Sequence, residues 1–275
     1  MLRPFRQVDV FTEVPYAGNP VAVVLDGDGL DDEAMRRLAR WTNLSETTFV
    51  QPPTTPDADY RVRIFTPTTE LPFAGHPTLG TCHAWLAHGG TPRRADEIVQ
   101  ACLAGLVRVR RTGSGLAFAA PPLLRSGPVD DDLAEELVTV LGIEPSTVQA
   151  VEWADNGPGW IALLLDSAES VLAVRPGYVD RDIGLVGPHA PGSPHAIEVR
   201  AFFPKDGVMV EDPVTGSLNA SVAQWLTGAG RLTAPYVASQ GTALDRAGRV
   251  YITVDDDGVW VGGGTVTCIE GTIEI

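Results

Sequence analysis

The feature that most constrains this chain is an internal repeat. Residues 19–26, NPVAVVLD, align with 159–166, GWIALLLD, at an offset of 140, which places Ala22, Leu25 and Asp26 on Ala162, Leu165 and Asp166. The same offset sets Trp85, Leu86 and Gly90 on Trp225, Leu226 and Gly230. Between these segments YRVRIFTP (60–67) matches EVRAFFP (198–204) at an offset of 137, with Val62, Arg63, Phe65 and Pro67 on Val199, Arg200, Phe202 and Pro204. Matches in common order at nearly constant spacing mean one topology used twice. With 275 residues, each half is long enough to bury its own core. The expected domains are residues 1–122 and 123–264, with a last strand at 265–275 returning to the first.

Within each half, short β-branched or aromatic runs bounded by Gly, Pro and Asp read as strands: VAVVLD, TTFVQ, YRVRIF and LVRVR, then WIALLL, EVRAFF and RVYITV. Asp31 or Asp32 opens an amphipathic helix through Trp41, and residues 130–141 show the same design. Two other helical segments, 78–89 and 217–228, are apolar on most faces and occupy equivalent places in the repeat. A helix of that kind belongs inside something, and the surrounding material is strand. The expected architecture is therefore α+β, two pseudo-symmetric domains, each a barrel-like sheet wrapped around a central helix.

Tight Gly/Pro turns precede both central helices, LPFAGHP before the first and EDPVTG before the second, with Thr78 or Ser217 near the cap position. A helix N-terminus offers unpaired N–H groups and partial positive charge, a natural seat for a carboxylate. If the halves are related by a pseudo-twofold axis, the two loops face one cleft, so a small anionic organic substrate is expected.

Composition removes several other functions. The 20 basic and 35 acidic residues leave a net charge of −15, which argues against nucleic acid and anionic membrane as partners. The longest apolar run, Trp160–Leu165, is far short of a bilayer span, and MLRPFRQVDV has no export signal, so a soluble cytoplasmic protein is expected. Lys205 is the sole lysine and lies in a turn-like FFPKDG, a poor anchor for Schiff-base chemistry. Cys82, Cys102 and Cys268 are isolated, and the spacings of His76, His83 and His88 lack a helical metal pair, so no metal site is expected. Neither a phosphate-cradling Gly-rich loop nor a GxSxG elbow is present.

The strings GNPVAVV, NLSETTFV, FAGHPTLG and EDPVTGS, in this order, resemble the PhzF-like (phenazine biosynthesis) family of the diaminopimelate epimerase structural superfamily. The resemblance runs along essentially the whole chain. It implies two similar domains with the active site between them, no metal or organic cofactor, and often a homodimer. The superfamily's racemases use one cysteine in each of the two helix-start loops, and no cysteine of this chain lies there. The PhzF-like branch implies instead a one-base isomerase that moves a proton between carbons of a small unsaturated amino or hydroxy carboxylic acid.

Glu46, in NLSET, is by that resemblance the acid/base. Placed at the start of an apolar strand near a closed cleft, its carboxyl would be desolvated and its pKa raised toward neutrality. The offset of 140 places Val186 opposite Glu46, so the second half supplies no matching base. His76, in the Gly-His-Pro turn, is a donor, a second proton carrier or a structural histidine. Asp212, in the corresponding place of the second half, is by resemblance a substrate contact for a polar group such as an ammonium, or else a helix cap. Gly75, Thr215, Gly216 and Ser217 would contact a carboxylate, and Asn19 in the GNP turn is either a binding or a turn-forming residue. Two alternatives stay open: a non-catalytic binding protein on the same fold, and an epimerase with a second, unidentified base. The namesake reaction isomerises dihydro-hydroxyanthranilate, but the pocket walls are not readable from one sequence. The excess of Arg over Lys hints at a high-GC bacterial genome and secondary metabolism.

Overall fold

The apolar runs of the first half become an ordered series of strands. These are β1 (Leu2–Val10), β2 (Asn19–Val24), β3 (Glu46–Gln51), β4 (Tyr60–Phe65), β5 (Glu70–Leu71), β6 (Glu97–Cys102), β7 (Gly105–Thr112) and β8 (Gly115–Ala119). Helix α1 (Asp32–Thr42) lies between β2 and β3, and α2 (Gly75–Ala87) between β5 and β6. The second half supplies β9 (Arg125–Pro128), β10 (Val148–Asp155), β11 (Ile161–Leu165), β12 (Ile183–Pro188), β13 (Ile197–Lys205), β14 (Val208–Asp212), β15 (Tyr236–Gln240), β16 (Gly248–Asp255) and β17 (Gly258–Gly263). Its helices are α3 (Asp131–Val140), α4 (Ala168–Ala173) and α5 (Gly216–Gly228), and β18 (Thr265–Glu274) ends the chain. This computed structural model describes residues 1–275, which divide into Met1–Ala119 with Gly262–Ile275, and Ala120–Val261.

The two units repeat one another pairing by pairing. In the first, β1 pairs antiparallel with β2, β2 runs parallel to β3, β3 is antiparallel to β4, β4 parallel to β6, and β6 antiparallel to β7. In the second, β10, β11, β12, β13, β15 and β16 follow the same sequence of antiparallel and parallel steps. Even the flanking strand is matched, since β18 pairs with β1 as β9 pairs with β10. Arg63 clasps Glu70 at 2.7 and 2.6 Å, and Arg200 clasps Glu211 at 3.0 and 2.7 Å in the equivalent strand pair. Both guanidinium groups also lie over a ring of the same strand, Phe65 or Phe202.

Helix α2 touches β1, β2, β3, β6, β8 and β18, so it is the core of the sheet that surrounds it, and its first ten residues are buried with the exception of His83. Gly80 makes that fit possible: a Cβ there would come within 2.3 Å of Val21 Cγ1. The amphipathic α1 covers the outer face, with Met35, Leu38 and Ala39 on Val24, Phe49 and Phe65. In the second unit Leu137 and Leu141 of the α3 segment and Val171 of α4 pack on Ile161, Leu163, Leu165, Ile183 and Leu185. A sheet covered on both faces explains why VAVV and IALLL are unbroken apolar runs rather than alternating ones.

Helix ends require one correction. Asp31 caps α1 by accepting from Ala34 N at 2.8 Å. The central helices, however, begin at Gly75 and Gly216, with Ala74 and Thr215 as N-caps that make no side-chain cap bond. Thr78 and Ser217 are thus inside the first turn. Pro77 does not prevent the earlier start, because an N–H in the first helical turn has no intrahelical acceptor to lose. No helix is long and apolar enough to cross a membrane.

Candidate active-site residues

In the first unit, sheet register delivers Glu46 to the start of α2. Glu46 opens β3 and lies beside Val21 of β2. Thr48 Oγ1 and Thr81 Oγ1, 2.8 Å apart, tie the same strand to the helix. As a result His76 Nε2 stands 3.1 Å from Glu46 Oε2, with side chains only 5 % and 14 % exposed. The contact is at ion-pair distance, although the imidazole N–H direction is not that of an aligned hydrogen bond.

Burial pushes the His76 imidazole down to about 3, opposed in part by a hydrogen bond to the Pro20 backbone. Proline offers only a carbonyl there, so the ring donates to it. Nε2 is in no hydrogen bond, which leaves Nδ1 as the donor and Nε2 with its lone pair, 3.1 Å from Glu46 Oε2 but not directed at it. His76 is therefore a neutral acceptor beside a carboxyl rather than a cation. Gly75 is the first residue of α2, and Asn19, fully buried opposite Val10, precedes the Pro20 that orients His76.

The second unit gathers Asp212, Thr215, Gly216 and Ser217 in one turn. Thr215 Oγ1 donates to Asp212 Oδ2 at 2.5 Å. Beneath them lies Gln240, fully buried: its Oε1 accepts from Thr215 N at 3.0 Å and Asn219 Nδ2 at 2.8 Å, while its Nε2 donates to Thr215 Oγ1 at 3.0 Å and the Asp212 carbonyl at 3.2 Å. Gln100 holds the equivalent place in the first unit, donating to Thr78 Oγ1 at 3.0 Å and accepting from Tyr60 at 3.1 Å. The repeat offset of 140 pairs Gln100 with Gln240, a signal present in the sequence that goes unread without the sheet register.

Two sequence equivalences shift. Counted from the helix starts, His76 corresponds to Ser217, and Asp212 corresponds to Leu71, since Ala201 faces Asp212 as Ile64 faces Leu71. Likewise Glu46, beside Val21, corresponds to Ile183, beside Ile161, and not to Val186. The offset changes from 140 to 137 between those strands because the connections differ in length. Just before Ile183, the Asp182 carboxyl is raised to about 6, by burial first and by Asp155 second. Burial likewise raises the Cys82 thiol to about 12 and the Cys102 thiol above its usual value, the environment of packing groups rather than nucleophiles. No group of three or more His, Cys, Asp or Glu residues is arranged to hold a metal ion.

Matching successions of strands, each with a largely buried helix that follows a short turn, define an α+β protein of the diaminopimelate epimerase-like fold. More particularly, the chain belongs to the PhzC-PhzF family, described as phenazine biosynthesis-like protein, which matches residues 8–271. It is 37 % identical over 97 % of its length to antisense-enhancing sequence 1 of Schizosaccharomyces pombe, covering 97 % of that protein. It is 35 % identical to a trans-2,3-dihydro-3-hydroxyanthranilate isomerase of Pseudomonas fluorescens, covering 97 % of both chains. Among solved structures, a PhzF-family protein of Bacillus anthracis superposes with a TM-score of 0.84 over 100 % of both chains at 23 % identity.

Proposed function

We propose that the protein is a cofactor-independent isomerase that moves a proton between two carbons of a small unsaturated amino or hydroxy carboxylic acid, with Glu46 as the proton carrier. The observation that carries this reading is the buried approach of Glu46 Oε2 to His76 Nε2 at 3.1 Å. The isomerase name of a relative 35 % identical over nearly the whole chain supports the same class of reaction.

The Glu46 carboxylate takes a proton from an sp3 carbon adjacent to the unsaturated system, and the C–H electron pair enters the conjugated π system. Protonated Glu46 then returns that proton to another carbon, the double bonds shift, and no electrons are gained or lost. During the interval a turn of the imidazole or of the carboxyl would align the Nε2 lone pair of His76 with the Glu46 O–H, which stabilises the proton-bearing stage without adding charge. Asp212 takes the substrate's polar group, such as an ammonium. Backbone N–H groups and hydroxyls at Gly75, Thr215, Gly216 and Ser217, with Asn19, take its carboxylate. By family resemblance the chain acts as a homodimer.

The test is proton NMR in deuterated water with a panel of unsaturated amino and hydroxy acids that includes trans-2,3-dihydro-3-hydroxyanthranilate. Glu46→Gln should lower C–H exchange and conversion by about 10²-fold or more while leaving the circular dichroism unchanged. Full activity in that variant refutes the reading. Binding without turnover in both proteins would make this a binding protein instead.

A further inference from the structure

The loop between β10 and β11 sends two polar side chains to the first turn of α5. Asn156, only 8 % exposed, donates from Nδ2 to the Ser217 carbonyl at 2.9 Å. Trp160, 4 % exposed, donates from Nε1 to Ser217 Oγ at 3.0 Å. The loop is itself held in shape, since Asp155 Oδ1 accepts from Gly157 N at 2.7 Å and Gly159 N at 2.8 Å.

These bonds determine what is left over. A hydroxyl has one hydrogen and two lone pairs, so the indole N–H occupies a lone pair of Ser217 Oγ and leaves its hydrogen available. Ser217 is half-buried, whereas its neighbours Gly216 and Leu218 are buried. The Ser217 carbonyl also fixes the Asn156 amide, because only the NH₂ side can face a carbonyl. Oδ1 consequently points away from that carbonyl, and this buried acceptor has no hydrogen-bond partner. A buried acceptor left unpaired costs about 1–3 kcal/mol, which a donor carried by a ligand would recover. It sits at the start of a 13-residue helix whose N-cap side chain makes no cap bond.

We infer that Asn156 sets substrate specificity: its Oδ1 accepts from an amino or hydroxyl group of a ligand whose carboxylate is held by the Ser217 hydroxyl and the first N–H groups of α5. The inference rests on the proposed function and deepens it, because it requires the donor and the carboxylate to be close together on one small molecule. A plain carboxylate satisfies half of the site. Trp160 is a positioning residue that acts through Ser217.

The experiment is calorimetric titration of the whole protein with 2-aminobenzoate and with benzoate at one ionic strength. Wild type should favour 2-aminobenzoate by roughly tenfold, the scale of one hydrogen bond to a buried acceptor. Asn156→Ala should bring the two affinities within about twofold, mainly by weakening 2-aminobenzoate, with an unchanged circular dichroism spectrum. Trp160→Phe should weaken both probes by a similar factor and leave their ratio intact. Equal affinities in wild type, failure of wild type to bind either probe, or loss of both probes in equal proportion in Asn156→Ala each overturn the assignment. Because binding does not require proton transfer, Glu46→Gln should keep the preference. Turnover retained in Glu46→Gln alongside a lost preference in Asn156→Ala would sink the proposed function alone.

Discussion

Asp182 offers a direct test of the electrostatics beneath the Asn156 loop. Its carboxyl is raised from 3.8 to about 6 because folding removes it from water and sets it near Asp155. The folded protein thus holds this proton to a higher pH than the unfolded chain does. Stability is unaffected by the group below about pH 4, falls as pH rises toward 6, and carries the full penalty above that. At 1.36 kcal/mol for each tenfold change in affinity, the penalty is about 3 kcal/mol as an upper bound, reduced by the solvent that still reaches the side chain. Roughly half of it develops between pH 5 and pH 8. Asp182→Asn keeps the shape and removes the charge, so the variant should be more stable than wild type by about 2–3 kcal/mol at pH 8 and by about half that at pH 5. Urea unfolding of both proteins at the two pH values measures the difference. A difference that does not change with pH, or a variant less stable at pH 8, would refute the reasoning.

Two further outcomes follow from the same geometry. With its imidazole pushed down to about 3, His76 should remain neutral from pH 5 to 8, and its ¹⁵N resonances should not titrate there. Since the unfolded histidine protonates near 6.5, stability should fall as pH drops from there toward 3, and an ordinary titration midpoint in the folded protein would contradict the buried contact with Glu46. Replacing Gln240 with Leu leaves Thr215 N–H and Asn219 Nδ2 without their shared acceptor in a fully buried place. The expected loss is about 2–4 kcal/mol in chemical denaturation, and a neutral result would show that this network does not hold the turn.

Much of the architecture is legible along the chain because it depends on local periodicity and repetition. The runs YRVRIF and IALLL, the Asp31 cap and the 140-residue repeat identify strands, a helix start and a duplicated topology, since each reflects the local conformational preference of its own segment. The motif around Glu46 and the Gly-His-Pro turn likewise mark candidate chemistry, although their spacing does not bring them together. Tertiary structure alone decided that His76 faces Glu46, that Ser217 rather than Asp212 matches His76, and that Asp182 precedes the strand position equivalent to Glu46. It also made Gln240 and Asn156 parts of the α5 turn, although they lie 25 and 61 residues from the groups they bond. Such partners meet through sheet register and loop length, and a change of one residue in either turns a side chain to the opposite face. Composition and periodicity do not encode that alignment; it comes from the packing of each sheet around its central helix.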